Sequence, residues 1–241
     1  AEQSLRTMLE AADLRGRTFL DIGSGSGLFS LAARRLGARV HSFDFDPKSV
    51  ACTQELRRRY FPDDSEWRIE QGSVLDPAFV RSLGQFDVVY SWGVLHHTGD
   101  MWKALEHAAL PVAPGGRLFI AIYNDQGATS RRWLAVKRIY CSGFLGRAAM
   151  CAVFIPYFAA SGFANDVRQR RNPLRRYTRP TKRGMSVFRD WFDWLGGLPF
   201  EVASVEAIVA FYKQRRFELR KLTTDGRALG NNEFVFERPP G

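Results

Sequence analysis

Short apolar segments alternate with segments of helical periodicity along the first 124 residues. Apolar runs at 18–22, 38–45, 67–71, 86–91 and 117–123 predict strands. Between them, apolar residues recur every three or four positions and predict helices over 26–36, 47–60, 77–83 and 100–110, after a short amphipathic helix over 3–12. Strands and helices that alternate in this way form right-handed crossovers, so this pattern predicts a parallel sheet.

The alternation stops after Asn124 and resumes with a helix over 205–215. Two strands follow, at 217–223 and 233–237, and the residues from Gly226 to Asn232 are expected to turn the chain between them. We therefore expect one core domain built from residues 1–124 and 203–241, with residues 125–202 inserted after the fifth strand. The predicted fold class is α/β, with a seven-stranded, mostly parallel sheet, an antiparallel last strand and a helical insertion.

The first strand runs directly into three alternating glycines, Gly23, Gly25 and Gly27. Glycine adopts positive φ at little cost and has no Cβ, so this backbone can turn sharply and approach a ligand closely. The helix that follows points its N-terminal amides at the same place. Leu28 stands where a dinucleotide-binding loop has its third glycine, so the spacing favours a nucleotide-like ligand without a pyrophosphate.

Asp44 ends the second predicted strand and lies beside the glycine loop in such a sheet. A carboxylate at this position accepts hydrogen bonds from both hydroxyls of a ribose. The alternative role is that of a helix N-cap before Pro47, which Asp46 fits better.

Four motifs occur in order: Leu20–Gly27 (LDIGSGSG), Asp44, Phe86–His97 (FDVVYSWGVLHH) and Pro114–Gly116. In these motifs the chain resembles the class I S-adenosylmethionine-dependent methyltransferases, especially the small-molecule branch that includes the ubiquinone-biosynthesis O-methyltransferases. The resemblance covers residues 18–124 well and 204–237 more loosely. It implies a Rossmann-like fold, S-adenosylmethionine as the cofactor and S-adenosylhomocysteine as the product.

The resemblance also implies roles for single residues. Asp21 would hold the amino end of the cofactor's methionine; the alternative is a hydrogen-bonded carboxylate at the end of a strand. Ser73 stands where the family commonly has an acidic residue that binds the adenine, so the backbone of Ser73 and Val74 would contribute more, and Asp76 is the alternative. The predicted cofactor-binding residues are Asp21, Gly23, Ser24, Gly25, Gly27, Asp44, Phe45, Ser73, Val74, Ser91 and Trp92.

Phe45 has two possible roles, either to cover one face of the adenine or to pack in the core. Residues 92–97 are predicted to extend the fourth strand. His96 and His97 end this extension, and the sequence predicts that one of them, with a preference for His97, acts as a general base. Their alternative role is a hydrogen-bonded scaffold at the end of the strand. Tyr123, at the end of the fifth strand, is the third predicted catalytic residue, and its alternative role is a core tyrosine.

The net charge of +10 is unevenly distributed. Residues 125–200 hold 14 Lys and Arg but 4 Asp and Glu, whereas the rest of the chain is balanced. The three cysteines are scattered without metal-ligand spacing, so we expect neither a disulfide framework nor a metal site. We also expect no signal peptide and a cytoplasmic location, which includes peripheral attachment to the inner face of the membrane.

The insertion contains a basic amphipathic helix over 130–140, followed by an uncharged run over 148–165 that holds Pro156 and Gly162. This run is short and interrupted for a transmembrane helix, which needs about 20 apolar residues, so we expect a helix that covers the active site or lies in a membrane surface. The basic residues that follow would bind a phosphate on the acceptor, anionic lipid headgroups or an RNA backbone, or form a solvated loop. They are Arg168, Arg170, Arg171, Arg175, Arg176, Arg179, Lys182 and Arg183.

Residues 185–200 are rich in aromatic residues, and Phe188, Trp191, Phe192 and Leu195 share one helical face that suggests core packing. Three polar residues of this segment are candidates for contacts with the acceptor: Arg189, Asp190 and Asp193. Glu201, just beyond the segment, is expected to orient one of them.

The sequence therefore predicts a methyltransferase acting on a hydroxyl, less readily an amine, of a small or amphiphilic metabolite that is phosphorylated or linked to a lipid. Residues 130–183 are the predicted contact with an anionic membrane surface. Two alternatives remain: an RNA-modifying methyltransferase that uses the basic insertion, and a cofactor-binding protein without turnover. Neither an appended RNA-binding domain nor the tetrapeptide N/D-P-P-Y/F of base-amine methyltransferases is present, which disfavours the first alternative.

Overall fold

The computed structural model describes residues 1–173, 175, 187–224 and 230–241, which form two compact units. The core unit comprises Ala1–Gln126 and Glu201–Gly241, and the helical unit comprises Gly127–Phe200. These boundaries lie within two residues of those predicted for the core domain and the insertion. The predicted turn at Gly226 and the residues Arg176, Arg179, Lys182, Arg183 and Met185 lie outside the described residues, as do the side chains of Asp190 and Asp193.

The core unit contains one seven-stranded sheet, which confirms the predicted α/β class. Its strands are β1 (Thr18–Ile22), β2 (Arg39–Asp44), β3 (Trp67–Gln71), β4 (Phe86–Trp92), β5 (Val112–Tyr123), β6 (Glu218–Thr223) and β7 (Asn231–Glu237). Their order across the sheet is β3-β2-β1-β4-β5-β7-β6. The first five strands are parallel, and β7 runs antiparallel to both β5 and β6. The carboxyl ends of β1, β2 and β4 consequently meet at one edge of the sheet.

Helices cover both faces of this sheet because side chains on a strand alternate between the two faces. On one face Phe19 and Val88 pack with residues of α1 (Glu2–Leu9) and α2 (Leu28–Arg35), beside α3 (Pro47–Tyr60). On the other face Leu20 and Val89 pack with residues of α5 (Met101–Ala109) and of a later helix, Val205–Gln214. The short α4 (Pro77–Ser82) lies beside α5.

The structure differs from the sequence prediction just after β4. The strand ends at Trp92, and Leu95–His97 form a single 3₁₀ turn rather than an extension of the strand. Gly93, with φ of 73°, takes the chain out of the extended conformation at this point. The helix after the glycine loop also begins at Leu28 and not at Ser26, because Gly27 still has a positive φ of 76°.

The helical unit is built from α6 (Ala128–Cys141), α7 (Phe144–Arg168) and α8 (Val187–Gly196); Val205–Gln214 of the core unit is α9. The predicted interruption of the apolar run is wrong, because α7 continues through Pro156 for 25 residues. Proline removes one helical hydrogen bond, but aromatic contacts hold the helix on either side of it. The ring of Trp133 lies 5.3 Å from that of Phe154 and 6.1 Å from that of Phe158.

Candidate cofactor and catalytic site

The glycine loop leaves β1 through three residues in the left-handed region. Gly23, Gly25 and Gly27 have φ values of 75°, 55° and 76°. The amides of Gly23 and Ser24 both donate to the carbonyl of Phe43 in β2, at 2.9 and 3.1 Å, and Gly27 N donates to Ser24 O at 2.8 Å. These bonds fasten the loop to the carboxyl end of the neighbouring strand.

The three glycines differ in what surrounds them. A Cβ on Gly23 would lie 2.4 Å from Val94, and one on Gly27 would lie 2.9 Å from the Cα of Thr53. A Cβ on Gly25 would meet nothing within 4 Å. Gly23 and Gly27 are therefore required by packing within the protein, whereas Gly25 borders open space.

Asp44 lies against this open part of the loop. One carboxylate oxygen of Asp44 accepts from Gly25 N and the other from Asp46 N, both at 2.9 Å. The N-cap role belongs to Asp46, whose side chain accepts from Lys48 N at 3.0 Å. Asp44 is thus available for the predicted ribose contact. The adjacent Phe45 is 76 % exposed, so its alternative role as a core aromatic is wrong.

Asp21 faces the interior, beneath α2, and is 2 % exposed. Its carboxylate accepts from Ser30 Oγ at 2.5 Å, and Ser30 in turn lies 2.7 Å from Ser42 Oγ, which accepts from Trp67 Nε1. Burial, and secondarily the charge of Asp44, raise the pKa of Asp21 to about 7, although the Ser30 hydrogen bond opposes this rise. This geometry matches the alternative role of a hydrogen-bonded strand-end carboxylate. The contact of Asp21 with the amino end of a cofactor stays a prediction.

Ser73 and Val74 follow β3 and adjoin Asp44, because Gly72 N donates to Asp44 O at 3.0 Å. Ser73 Oγ accepts from Leu75 N, and the carbonyl of Val74 accepts from His107 Nδ1 at 2.8 Å. Asp76 caps α4 by accepting from Ala78 N and Phe79 N. Both capping bonds go to Oδ1 of Asp76, so Asp76 has a structural role as the N-cap of α4, and its alternative role in binding the adenine stays a prediction.

Ser91 and Trp92 end β4, and the polar groups of both side chains donate hydrogen bonds to other residues of the protein. Ser91 is fully buried, and its hydroxyl donates to Ile22 O at 3.1 Å. Trp92 Nε1 donates to Glu233 Oε1 at 2.7 Å. Ser91 therefore ties β4 to its neighbour β1, and Trp92 ties β4 to β7, which lies beyond β5 in the sheet. The contact of either side chain with a cofactor stays a prediction.

The three predicted catalytic residues lie together. The ring centre of His96 lies 4.0 Å from that of Tyr123 and 4.5 Å from that of His97. The rings of His97 and Tyr123 are 5.4 Å apart and perpendicular to each other. His96 is fully buried and its Nδ1 accepts from Tyr123 N at 3.4 Å, whereas His97 and Tyr123 are half-buried. Of the two histidines, His97 is therefore the more accessible to an acceptor.

The glycine loop and the histidine turn are in contact through Val94, which precedes the turn and packs on Gly23. The loop, Asp44 and the histidine turn thus lie at the same edge of the sheet, where β1, β2 and β4 have their carboxyl ends. This is the place where doubly wound sheets bind nucleotide-like ligands.

Several residues of this region were not predicted to have the roles that they have in the structure. Thr53 bonds the glycine loop from α3, through Ser24 Oγ at 3.1 Å and Gly25 O at 3.3 Å. Glu201 donates its amide to His96 O and accepts from Met101 N, so it holds the histidine turn against the start of α5. No sequence motif marks either residue, because each acts through a partner that is distant along the chain.

A polar depression of about 510 Å³ lies at the carboxyl end of β5 and the start of α9. Its lining includes Asn124, Asp125, Ser204, Glu206 and Asn232. Asn232 donates to Asn124 Oδ1 at 3.1 Å, so two amides from neighbouring strands form part of its wall. The part of the chain that the structure describes contains no group of three His, Cys, Asp or Glu that could hold a metal ion.

In a comparison with known proteins, residues 20–118 match a family model that is described as a methyltransferase domain. The ubiquinone biosynthesis O-methyltransferase of Caulobacter vibrioides is 34% identical over 119 residues, which cover 47% of this chain and 43% of that protein. The protein of the same name in Escherichia coli O139:H28 is 30% identical over 126 residues, 52% of this chain and 49% of its own length. The chain thus spans about half the length of the curated relatives that it matches.

Solved structures resemble the chain over nearly all of its length. Magnesium protoporphyrin IX methyltransferase from Synechocystis PCC 6803, crystallised with bound SAH, has a TM-score of 0.58 at 14% identity, covering 98% of this chain and 83% of that one. The N-methyltransferase NodS from Bradyrhizobium japonicum WM9, in complex with S-adenosyl-L-homocysteine, has a TM-score of 0.56 at 16% identity, covering 98% and 84%. At these identities the likeness establishes the fold.

Proposed function

We propose that the protein transfers a methyl group from S-adenosylmethionine to a hydroxyl of a small or amphiphilic acceptor, and the similarity of residues 20–118 to a methyltransferase domain supports this proposal. The observation that carries the proposal is that the open glycine loop, Asp44 and the histidine turn come together at the carboxyl edge of the sheet, where we place the cofactor crevice. The choice of oxygen over nitrogen is supported by the curated relatives, whose names describe O-methyltransferases.

The residues of this crevice fit the cofactor. Gly25 leaves space for close approach of a ligand, the carboxylate of Asp44 borders that space, and the ring of Phe45 is exposed beside it. We assign the ribose to Asp44, and the adenine to the segment of Ser73 and Val74 with Phe45. When bound, S-adenosylmethionine supplies a methyl carbon that its sulfonium has already activated for displacement.

The remaining work of the protein is to position the acceptor and to remove its proton. Positioning alone supplies much of the acceleration of a transfer between two bound molecules. A general base adds about 10²–10⁴-fold for a hydroxyl acceptor. We assign this role to His97, whose ring is partly accessible, while the buried His96 supports it and Tyr123 borders the acceptor.

Binding of S-adenosylhomocysteine, measured by calorimetry, tests the cofactor assignment. We expect Asp44→Ala to weaken binding about tenfold or more, because a hydrogen bond to a charged group contributes about 1.5–3 kcal/mol. The matched control is Asp46→Ala, which removes the neighbouring carboxylate and the cap of α3 but no proposed cofactor contact. Full affinity in Asp44→Ala would contradict the assignment.

Turnover with a hydroxylated acceptor tests the base. His97→Ala is expected to lower kcat by about 10²–10⁴-fold, with unchanged affinity for S-adenosylhomocysteine as its internal control. If His97→Ala and His96→Ala both retain wild-type turnover, the protein acts by positioning alone. Cofactor binding without turnover on any hydroxyl or amine would favour the alternative of a silent cofactor-binding protein.

The charge of the helical unit favours RNA methylation as a second candidate function. Residues 127–200 hold 14 Lys and Arg against 3 Asp and Glu. RNA binding through these residues would weaken steeply as the salt concentration rises, since phosphate contacts release counterions. Methylation of RNA together with this salt dependence would replace the metabolite acceptor in our proposal.

A further inference from the structure

One face of α7 is apolar and exposed along the whole helix. Residues of this face, which we call the α7 apolar face, recur at helical spacing: Leu145, Val153, Tyr157, Ala160, Phe163 and Val167. Every one of them is exposed, and between Arg147 and Asp166 the helix carries no charged residue. A continuous exposed apolar surface of this kind marks a site of interaction.

The opposite side of α7 is already covered within the helical unit. Phe154 and Phe158 pack on Trp133 of α6, and the ring of Phe158 also lies 5.9 Å from that of Trp191 in α8. The helix is therefore apolar on both sides, while only one side has a partner within the unit. A helix that is apolar all round is normally buried, in a protein or in a membrane.

Basic residues lie at both ends of the α7 apolar face. Arg147 lies near its start, Arg168, Arg170 and Arg171 lie at its end, and all four side chains are exposed. The neighbouring α6 presents three further exposed arginines, Arg131, Arg132 and Arg138. Apolar residues flanked by arginines complement a surface that offers both acyl chains and anionic headgroups.

The packing of the unit also indicates how α7 would meet a bilayer. With 25 residues and a mean hydropathy of 1.4 over its most apolar window, the helix could cross a membrane by length and composition alone. However, crossing would bring into the hydrocarbon the helices packed on its other side, including α6 with its buried Lys137. Charged groups in the hydrocarbon are costly, so the packing favours a helix that lies in the plane of the surface.

A second copy of the chain is disfavoured as the partner of the α7 apolar face, because two units with the same large positive charge repel each other.

We propose that the α7 apolar face and its flanking arginines dock the helical unit in the plane of an anionic membrane surface. Tyr157 and Phe163 enter the region between headgroups and acyl chains, and the arginines bind the headgroups. The proposal does not depend on methyl transfer. It would bring the protein to acceptors that partition into the membrane.

Co-flotation of the full chain with lipid vesicles tests the docking. The probes are vesicles of phosphatidylcholine alone and vesicles in which about a third of the lipid is phosphatidylglycerol. We expect binding to the anionic vesicles, and about a tenfold loss of partitioning in Tyr157→Asp, because binding scales with the apolar area that inserts. The matched control is Tyr60→Asp on α3 of the core unit, since Tyr60 is 51% exposed and Tyr157 57%. Unchanged affinity for S-adenosylhomocysteine in both variants verifies that the fold and the cofactor site are intact.

Further outcomes decide the mode of binding. Release of the bound protein by high salt supports in-plane docking, whereas resistance to salt and to alkaline carbonate would indicate a spanning helix and overturn the proposal. Equal binding to neutral and anionic vesicles would overturn the role of the arginines. An absence of vesicle binding, together with a dimer in solution that Tyr157→Asp dissociates, would assign the α7 apolar face to a second copy instead.

Discussion

The carboxyl group of Asp21 occupies a place where its ionised form is disfavoured. It lies beneath α2 with one hydroxyl partner, Ser30, and burial raises its pKa to about 7. An ordinary aspartate titrates about three units lower, so in the unfolded chain this group ionises well before it does in the folded protein. Between these two values, rising pH favours the unfolded state.

We therefore expect the stability of the protein to fall as the pH rises from about 4 to about 7, and Asp21→Asn to abolish this part of the dependence. Three pKa units correspond to about 4 kcal/mol, which is the upper limit of the stability that the variant gains over wild type at pH 8. Unfolding by urea at pH 5 and pH 8 measures the difference. Asp13→Asn, on an exposed aspartate, is the control, and parallel pH curves for wild type and Asp21→Asn would contradict the expected role of burial.

The contrast between Asp44 and Asp21 shows what sequence predicts about single residues. Asp44 ends a strand beside the glycine loop, and both positions follow from the order of motifs along the chain. The burial of Asp21 depends on Ser30, nine positions later, and on Ser42 of the neighbouring strand. Which face of β1 it occupies, and what lies above it, are consequences of tertiary packing.

At the scale of elements, two glycines of the same loop have different roles: Gly27 is required by packing, and Gly25 borders the space that we assign to the ligand. Gly27→Ala would place a methyl group 2.9 Å from the backbone of Thr53 at positive φ, so we expect it to destabilise the protein by about 3 kcal/mol, from strain and overpacking together. Gly25→Ala meets no protein atom within 4 Å and costs only the left-handed conformation, about 1–2 kcal/mol. Thermal unfolding measures both effects.

The same pair of variants tests the cofactor position. The methyl group of Gly25→Ala projects into the space that we assign to the ligand, so it should reduce the affinity for S-adenosylhomocysteine about tenfold although the fold is largely retained. Calorimetry on this variant, at a temperature where it is fully folded, provides the measurement. An affinity equal to that of wild type would place the cofactor elsewhere.

The alternation of strands and helices was sufficient to predict the sheet, because period-two and period-3.6 patterns record which face each residue presents to the core. It failed where a single residue redirects the chain or where tertiary contacts override a local preference. Gly93 ended β4 before the predicted extension. Pro156 did not end α7, since ring contacts at Phe154 and Phe158 hold the helix on both sides of it.

At the scale of the whole molecule, the chain leaves and re-enters the core unit at one place. Asn124 bridges Ala203 in parallel, and Asp125 N donates to Ala203 O at 3.1 Å. These residues belong to the core unit and lie within three residues of the two ends of the helical unit. The sequence predicted these boundaries from the loss of the alternating pattern. What the segment contacts was not predictable, because its basic and aromatic residues fit several partners.

This proximity predicts that the core unit can fold without residues 127–200. Joining Gln126 to Glu201 through a short flexible Gly/Ser linker should leave the sheet, the glycine loop and the histidine turn in place, because a short loop between adjacent ends costs little closure entropy.

We expect the shortened protein to unfold cooperatively. It should bind S-adenosylhomocysteine with an affinity within about threefold of that of wild type, since the residues assigned to the cofactor all precede the excised segment. Vesicle binding, in contrast, should be lost, because the α7 apolar face and its flanking arginines are removed. Calorimetry and flotation on the same preparation separate these results: retained vesicle binding would show that the core unit docks to the membrane, and lost cofactor binding in a folded protein would show that the helical unit completes the cofactor site.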